Sequence, residues 1–194
     1  MSAPGRVVAI HAGGSPESAT GRLARGLLAS LAQVSKEPLR TRVIAACESL
    51  PPWHGFGGSD DWPEPLRAAR AEVAGAVGVI AVSPVIHGSY SGPFKSFIDL
   101  LGAAALRDTP VVVAACGGSP RHCLMLEHAM RPLFACLRSV VMPTVVYATV
   151  DECRVAGLAP PVRLRAQEAG RELVAAIAGR AGSPLPQPLA VRHG

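Results

Sequence analysis

Apolar positions along this chain fall into two alternating kinds of run. Short unbroken ones, Val7-Val-Ala-Ile10, Val77-Gly-Val-Ile-Ala-Val82 and Pro110-Val-Val-Val-Ala-Ala-Cys116, lack polar alternation, as expected of strands covered on both faces. Two less uniform runs, Thr41–Ala46 and about 140–149, bring the predicted strands to five. Between the strands, apolar residues recur at helical spacing: Leu23, Leu27, Leu28, Leu31 and Val34, then about 64–75, then Phe94, Phe97, Ile98 and Leu101. Further helices are expected over about 121–138 and around Leu164, Leu173, Val174 and Ile177. Lys36-Glu-Pro38 closes the first helix, and Pro93 falls in the first turn of the third. Strands and helices in strict alternation, joined by short single crossovers, predict a three-layer α/β sandwich with a five-stranded parallel sheet of order 2-1-3-4-5.

In an open parallel sheet, ligands sit in the crevice beyond the carboxyl ends of the strands, so the loops there come next. After the first strand, Gly13-Gly-Ser-Pro-Glu-Ser-Ala-Thr20 offers the hydroxyls of Ser15, Ser18 and Thr20 beside a helix start, where free amides and the helix dipole favour a phosphate. A capping turn, with one hydroxyl satisfying the helix start, is the alternative. The stretch is neither a Walker A loop nor a Gly-x-Gly-x-x-Gly fingerprint. After the third strand, residues 84–91 are small and hydroxylic, longer than a plain connection needs, and are expected to touch a ligand. Gly88-Ser-Tyr-Ser-Gly92 has Tyr90 at its centre, which rules out a serine nucleophile elbow. After the fourth strand, Gly117 and Gly118 let the backbone approach a flat ring. Residues 48–65 are irregular and carry both tryptophans, so they read as a long loop of the kind that is functional or mobile.

With 194 residues and 49% hydrophobic content, one domain over residues 1–180 is expected, followed by a Pro-rich flexible tail over 181–194. The first apolar run is too short for a secretory signal, and no stretch approaches the ~20 apolar residues of a membrane span, so a soluble cytoplasmic protein is expected. Cys47, Cys116, Cys123, Cys136 and Cys153 form no Cys-x-x-Cys pair and read as reduced thiols. The net charge of +5 comes from scattered arginines without a basic run, which argues against a nucleic-acid partner. His122 and His128 lie six apart with no His-Glu-x-x-His, so no metal site is expected.

Three ordered stretches carry a resemblance: Gly13-Gly-Ser15 with Ser18-Ala-Thr20; Ser83-Pro-Val-Ile-His-Gly-Ser-Tyr-Ser-Gly-Pro-Phe-Lys-Ser-Phe-Ile-Asp-Leu-Leu101; and Thr109-Pro-Val followed by Gly117-Gly-Ser-Pro-Arg-His-Cys-Leu-Met-Leu-Glu-His-Ala-Met-Arg-Pro-Leu-Phe134. Over most of residues 6–150 the chain resembles the NAD(P)H-dependent FMN reductases of the flavodoxin-like superfamily, especially the reductase components of two-component alkanesulfonate and methanesulfonate monooxygenases. The resemblance implies hydride transfer from NADH or NADPH to FMN with no catalytic side chain, and delivery of reduced flavin to a flavin-dependent monooxygenase. It implies that Ser15, Ser18 and Thr20 cradle the FMN phosphate, that Pro84, Val85, Ile86 and His87 flank the isoalloxazine and ribityl chain, and that Gly117, Gly118 and Ser119 border the ring from the other side. It further implies a homodimer or homotetramer through helix 121–138, with His128 near the flavin site of a neighbouring subunit. Three positions depart from the family pattern. Ala19 stands where an arginine contacts phosphate, leaving Arg22 as the nearest replacement, while Ile86 and His87 replace an aromatic and a basic residue. Two alternatives remain at this point: a quinone or azo reductase that retains its FMN, and a non-catalytic relative with a weakened flavin site.

Overall fold

A strand buried on both faces must satisfy its backbone groups in a ladder and its side chains in two cores, and the first strand does both. A computed structural model describes residues 5–50, 62–102, 104–153 and 157–181. Strand β1 (Arg6–His11) pairs in parallel with β2 (Arg40–Ala45) on one side and with β3 (Gly78–Ile86) on the other. A two-residue strand, β4 (Ser89–Tyr90), folds back antiparallel on β3, whose other edge pairs in parallel with β5 (Pro110–Gly117). Alternate side chains then go to opposite faces. Val8, Ile10, Val79, Ala81, Val111 and Val113 share one core, while Val7, Ala9, Ile80, Val82, Val112 and Ala114 share the other.

Helices α1 (Ala19–Val34) and α6 (Pro160–Ala181) cover the second core through Leu23, Leu27, Leu31, Ala169 and Leu173. A short α2 (Ala46–Ser49), which the sequence pattern does not announce, joins α3 (Glu64–Ala74) and α4 (Gly92–Leu101) on the first, where Leu66, Val73, Phe94 and Phe97 are buried. The expected three-layer α/β sandwich around a parallel sheet is therefore present. Residues 51–61 of the Trp-bearing loop, and 182–194 of the expected tail, lie outside the described residues; Ala181 closes α6.

The expectation of five strands in the order 2-1-3-4-5 needs correction: the sheet has seven strands, in the order β2-β1-β3-β5-β6, with β7 also on β5 and β4 on β3. The predicted last strand is split into β6 (Val140–Val141) and β7 (Val146–Thr149), both parallel to β5. Pro143, which has no N–H to give a ladder, sits in the break. Side chains fill the gap instead. Glu172 of α6 accepts from the Thr144 N–H (2.8 Å) and hydroxyl (2.7 Å), and Arg131 donates to the carbonyls of Met142 and Pro143 (both 3.0 Å).

The predicted helix over 121–138 is likewise interrupted. A 3-10 turn (Pro120–His122) is followed by a π-helical turn (Leu126–Met130) and then α5 (Arg131–Cys136). Pro132 cannot donate to the His128 carbonyl four residues back, and its ring crowds that carbonyl. The ladder steps to wider spacing ahead of it, with the Arg131 N–H reaching the Leu126 carbonyl.

Residues 84–91 are a third correction. They are not a free loop, because β3 continues through Pro84 to Ile86 and turns back into β4 with Val85 opposite Tyr90 and Ile86 opposite Ser89. Beyond Val82, the last residue paired with β1, a proline leaves no ladder partner wanting on that side. His87 (φ 48°) and Gly88 (φ 80°) supply the two consecutive left-handed residues that a two-residue hairpin requires.

Ser83 joins this hairpin to the helix after it. Fully buried, its hydroxyl donates to the Pro84 carbonyl (2.9 Å) and accepts from the buried Ser91 N–H (3.0 Å), while the Ser91 hydroxyl caps α4 at the Phe94 N–H (3.3 Å). Ser83→Ala leaves the Ser91 amide unpaired in the interior and is expected to destabilise the fold by about 1–3 kcal/mol, read from the urea midpoint; an unchanged midpoint refutes this role.

Candidate functional site

Register places the carboxyl ends of four strands side by side. His11 lies opposite Val82, Pro84 opposite Cys116 and Gly117 opposite Thr149, so the loops leaving β1, β3 and β5 rise from one edge of the sheet. At this edge the two cores stop and polar groups begin.

The loop after β1 is held by its own hydroxyls. Ser18 is the N-cap of α1, its oxygen accepting from the Gly21 N–H (3.1 Å) and lying 3.2 Å from the Thr20 hydroxyl. The capping role weighed above is thus real, and it uses only a lone pair of the Ser18 oxygen. Ser15 is half-buried with its carbonyl taken by the Ser18 N–H (3.1 Å). The amides of Ala19 and Thr20 open α1 and have no intrahelical acceptor. Those of Gly14 and Ser15 have no acceptor among the described residues. Unpaired amides and the Ser18 and Thr20 hydroxyls thus lie together at the start of α1.

Two glycines make this loop possible. A Cβ on Gly13 would lie 1.9 Å from the Ser18 hydroxyl and 2.4 Å from that of Thr20, and a Cβ on Gly21 would lie 2.2 Å from the Pro16 carbonyl oxygen. The loop folds down onto the helix start because neither side chain is there. Arg22 ties the same loop sideways, its Nε donating to the Cys153 carbonyl and its terminal nitrogen to the Glu17 carbonyl. It therefore shapes the loop, with two of its donors already committed to backbone.

The other predicted residues divide. Val85 meets Gly117 directly: a Cβ on Gly117 would sit 3.2 Å from the Val85 Cγ2 and 2.4 Å from the Tyr147 hydroxyl. Pro84 and Val85 are half-buried at the strand end, whereas Ile86 and His87 stand exposed at the hairpin tip. Gly118 opens on empty space, and Ser119 is gripped twice. Its carbonyl accepts from the Tyr147 hydroxyl (2.5 Å) and its hydroxyl from the Arg121 Nε (3.1 Å). Burial pushes the Tyr147 phenol above its ordinary range and keeps it a donor. The structure thus gathers Pro84, Val85, Gly117, Gly118 and Ser119 in one wall, with Ser15, Ser18 and Thr20 as a separate cluster on the same edge.

Sequence reasoning passed over His11, Ser83, Arg22's true partners and Tyr147. His11 is almost wholly buried, and its Nδ1 accepts from the Gly13 N–H (3.3 Å). Burial, followed by the nearby Arg25 charge, holds its pKa below the ordinary value against a smaller opposing pull from Glu48. An unprotonated Nδ1 is what the bond to Gly13 needs.

The family described as NADPH-dependent FMN reductase matches residues 6–152. An FMN reductase (NADPH) from Pseudomonas aeruginosa is 34% identical over 183 residues, covering 93% of this chain and 96% of the relative. The NADH-dependent FMN reductase SfnE from Pseudomonas putida is 38% identical over 174 residues, covering 87% and 92%. Among solved structures, the apo form of an NADH:FMN oxidoreductase (EMOB) superposes with a TM-score of 0.76 at 26% identity, over 88% of this chain and 89% of that one. A flavodoxin, WrbA-like protein from Agrobacterium tumefaciens shares the fold at a TM-score of 0.62 and 15% identity, over 90% and 98%, so the sandwich is flavodoxin-like.

The neutral state of His11 makes stability pH-dependent. Because the folded pKa lies below the unfolded value near 6.5, this contribution is complete above that pH and is lost as pH falls from about 6.5 toward the folded pKa. Urea unfolding at stepped pH is expected to show that decline, and His11→Asn, which keeps an acceptor for Gly13 but does not titrate, is expected to flatten it; equal slopes in both proteins refute the assignment.

Proposed function

The chain belongs to the NADPH-dependent FMN reductase family, and from that premise we propose how its three loops divide the work and where the product goes. The protein is an NAD(P)H-dependent FMN oxidoreductase. Bound FMN supplies the hydride-accepting ring, and the chain supplies position and exclusion of water. The hydroxyls of Ser15, Ser18 and Thr20, with the free amides at the start of α1, take the phosphate. Pro84 and Val85, with Ile86 and His87 beyond them, flank the ring and ribityl chain. Gly117, Gly118 and Ser119 border the opposite side, with Ser119 steadied by Tyr147 and Arg121. No side-chain acid or base enters the reaction.

One observation carries this reading: the turn at Gly13, where the hydroxyls of Ser18 and Thr20 close against a backbone position without a Cβ, beside the free amides of Gly14, Ser15, Ala19 and Thr20. A second bears on affinity. Ala19 brings no charge to the phosphate, and Arg22 spends two donors on carbonyls, so the grip rests on neutral hydrogen bonds worth about 0.5–1.5 kcal/mol each. Modest grip suits a cytoplasmic reductase that releases reduced flavin to a monooxygenase partner. Residues 1–180 act as one domain and associate as a homodimer or homotetramer through 121–138, where Leu124 is 58% exposed and Cys123, His128 and Pro132 are also exposed. That exposed apolar surface is the support for self-association.

Steady-state oxidation of NADH and NADPH with FMN, FAD and riboflavin tests the activity; no rate above the flavin-free blank with any pair overturns it. Gly13→Ala tests the cradle. Its methyl displaces the Ser18 and Thr20 hydroxyls, so KM for FMN is expected to rise about tenfold or more, the loss of one or two such bonds, while KM for riboflavin, which has no phosphate, stays near its original value. An equal rise for both flavins removes the phosphate from this loop.

A further inference from the structure

The loop after β1 leaves the sheet through two backbone bonds, and one of them ends on a titratable group. The Ala12 N–H donates to the Val82 carbonyl of β3 (3.3 Å), and the Gly13 N–H donates to Nδ1 of His11 (3.3 Å), a side chain only 1% exposed. Gly13 is also the residue against which the Ser18 and Thr20 hydroxyls close, since a Cβ there would strike both. Imidazole, glycine and hydroxyl pair therefore form one connected row. His11 fixes the backbone on which the two hydroxyls rest.

We propose that proton binding at His11 and phosphate binding at the loop 13–20 oppose each other, so that His11 is a positioning residue that makes the grip on FMN, but not on riboflavin, depend on pH. The inference rests on the reading that this loop takes the flavin phosphate. A proton on Nδ1 turns the acceptor into a donor, and two N–H groups then face each other at a buried position. Gly13 draws away, and the hydroxyls of Ser18 and Thr20 lose the surface they close against. By linkage, a ligand that needs the neutral imidazole makes it harder to protonate by the same factor as the proton weakens the ligand.

Charge around His11 is sparse. Burial opposes the proton first, then Arg25 on α1, while Glu48 on α2 favours it more weakly. Arg22, also on α1, is turned to the Cys153 and Glu17 carbonyls. Across the ladder His11 faces Ala45 on β2 and Val82 on β3, neither titratable, and the β2 arginines Arg40 and Arg42 pair further down, at Arg6 and Val8. Burial raises the Cys47 thiol of α2 above its ordinary pKa, so it stays neutral where imidazole titrates. The sign follows. With the folded His11 pKa held below the ordinary value of 6.5, the grip is complete above that pH and declines as pH falls through the folded value toward the still lower one of the flavin-loaded state.

The full chain, isotope-labelled at histidine, is titrated by NMR alone, with FMN and with riboflavin, and both flavins are titrated by fluorescence quenching at stepped pH. FMN is expected to move the His11 titration to lower pH while riboflavin leaves it in place, and the dissociation constant of FMN is expected to rise about threefold or more relative to that of riboflavin as pH falls. The phosphate of FMN, with its own second pKa of about 6, contributes to that rise, and His11→Asn, which keeps an acceptor for Gly13, is expected to retain only this part. A His11 titration unmoved by FMN overturns the proposal, as does one moved to higher pH, the mark of imidazolium pairing with phosphate, or an equal rise in His11→Asn. The NMR titration uses the native chain, so it decides the matter even where the variant fails to fold. Binding of neither flavin at any pH overturns the reductase reading and this proposal with it, whereas binding of both without a pH-linked difference overturns this proposal alone.

Discussion

Everything at the working edge depends on β3 being paired on both sides. Its backbone groups lie in a dry interior and must be satisfied by β1 and β5, which fixes the register of all three strands at once. Fixed register fixes where the strands stop. β1 ends opposite Val82 while β5 continues to Gly117, so a step opens in the sheet at Ser83 and Pro84. Ser83, a polar residue at a fully buried position, is tolerated only there, because the end of β1 lets its hydroxyl turn to Pro84 and Ser91. The ladder that builds the core thus also sets the height of each loop above it.

That logic explains what the sequence discloses. Strands buried on both faces leave unbroken apolar runs, and helices lying on a sheet leave a 3.6-residue period, so β1, β3, β5, α1, α3, α4 and α6 are legible from local pattern alone. Elements that depend on distant partners are not. Nothing near Pro143 announces that Glu172 and Arg131 will replace the missing ladder, so the last strand reads as one run. Pro84 reads as punctuation, yet it lies inside a strand because β1 has already ended. At 121–138 the apolar spacing is helical throughout, and only Pro132, read for the carbonyl it cannot serve, hints at the wider turn before it.

The site divides along the same line. Gly13, Ser15, Ser18, Thr20, Gly117 and Gly118 stand out because glycines and hydroxyls cluster after apolar runs, where the parallel sheet puts ligands. His11 and Tyr147 escape notice since each acts on a backbone atom, one through the Gly13 amide and the other through the Ser119 carbonyl. A side chain whose partner is backbone leaves no complementary residue to find. Tyr147 in particular sits in a strand run, where an aromatic is ordinary.

Arg22 brings these strands of argument to one point. By charge and position it is the natural stand-in for the cation absent at Ala19, and a guanidinium turned to phosphate would contribute about 1.5–3 kcal/mol. It holds two carbonyls instead. Turning it outward would release Glu17 and Cys153 together, and with them the fold of the loop onto α1 that Gly13 and Gly21 make room for. A loop with Arg22 facing inward keeps its shape at the expense of electrostatic grip. In the function proposed above, that shape selects the phosphate-bearing ligand, and the weak grip lets a reduced product leave.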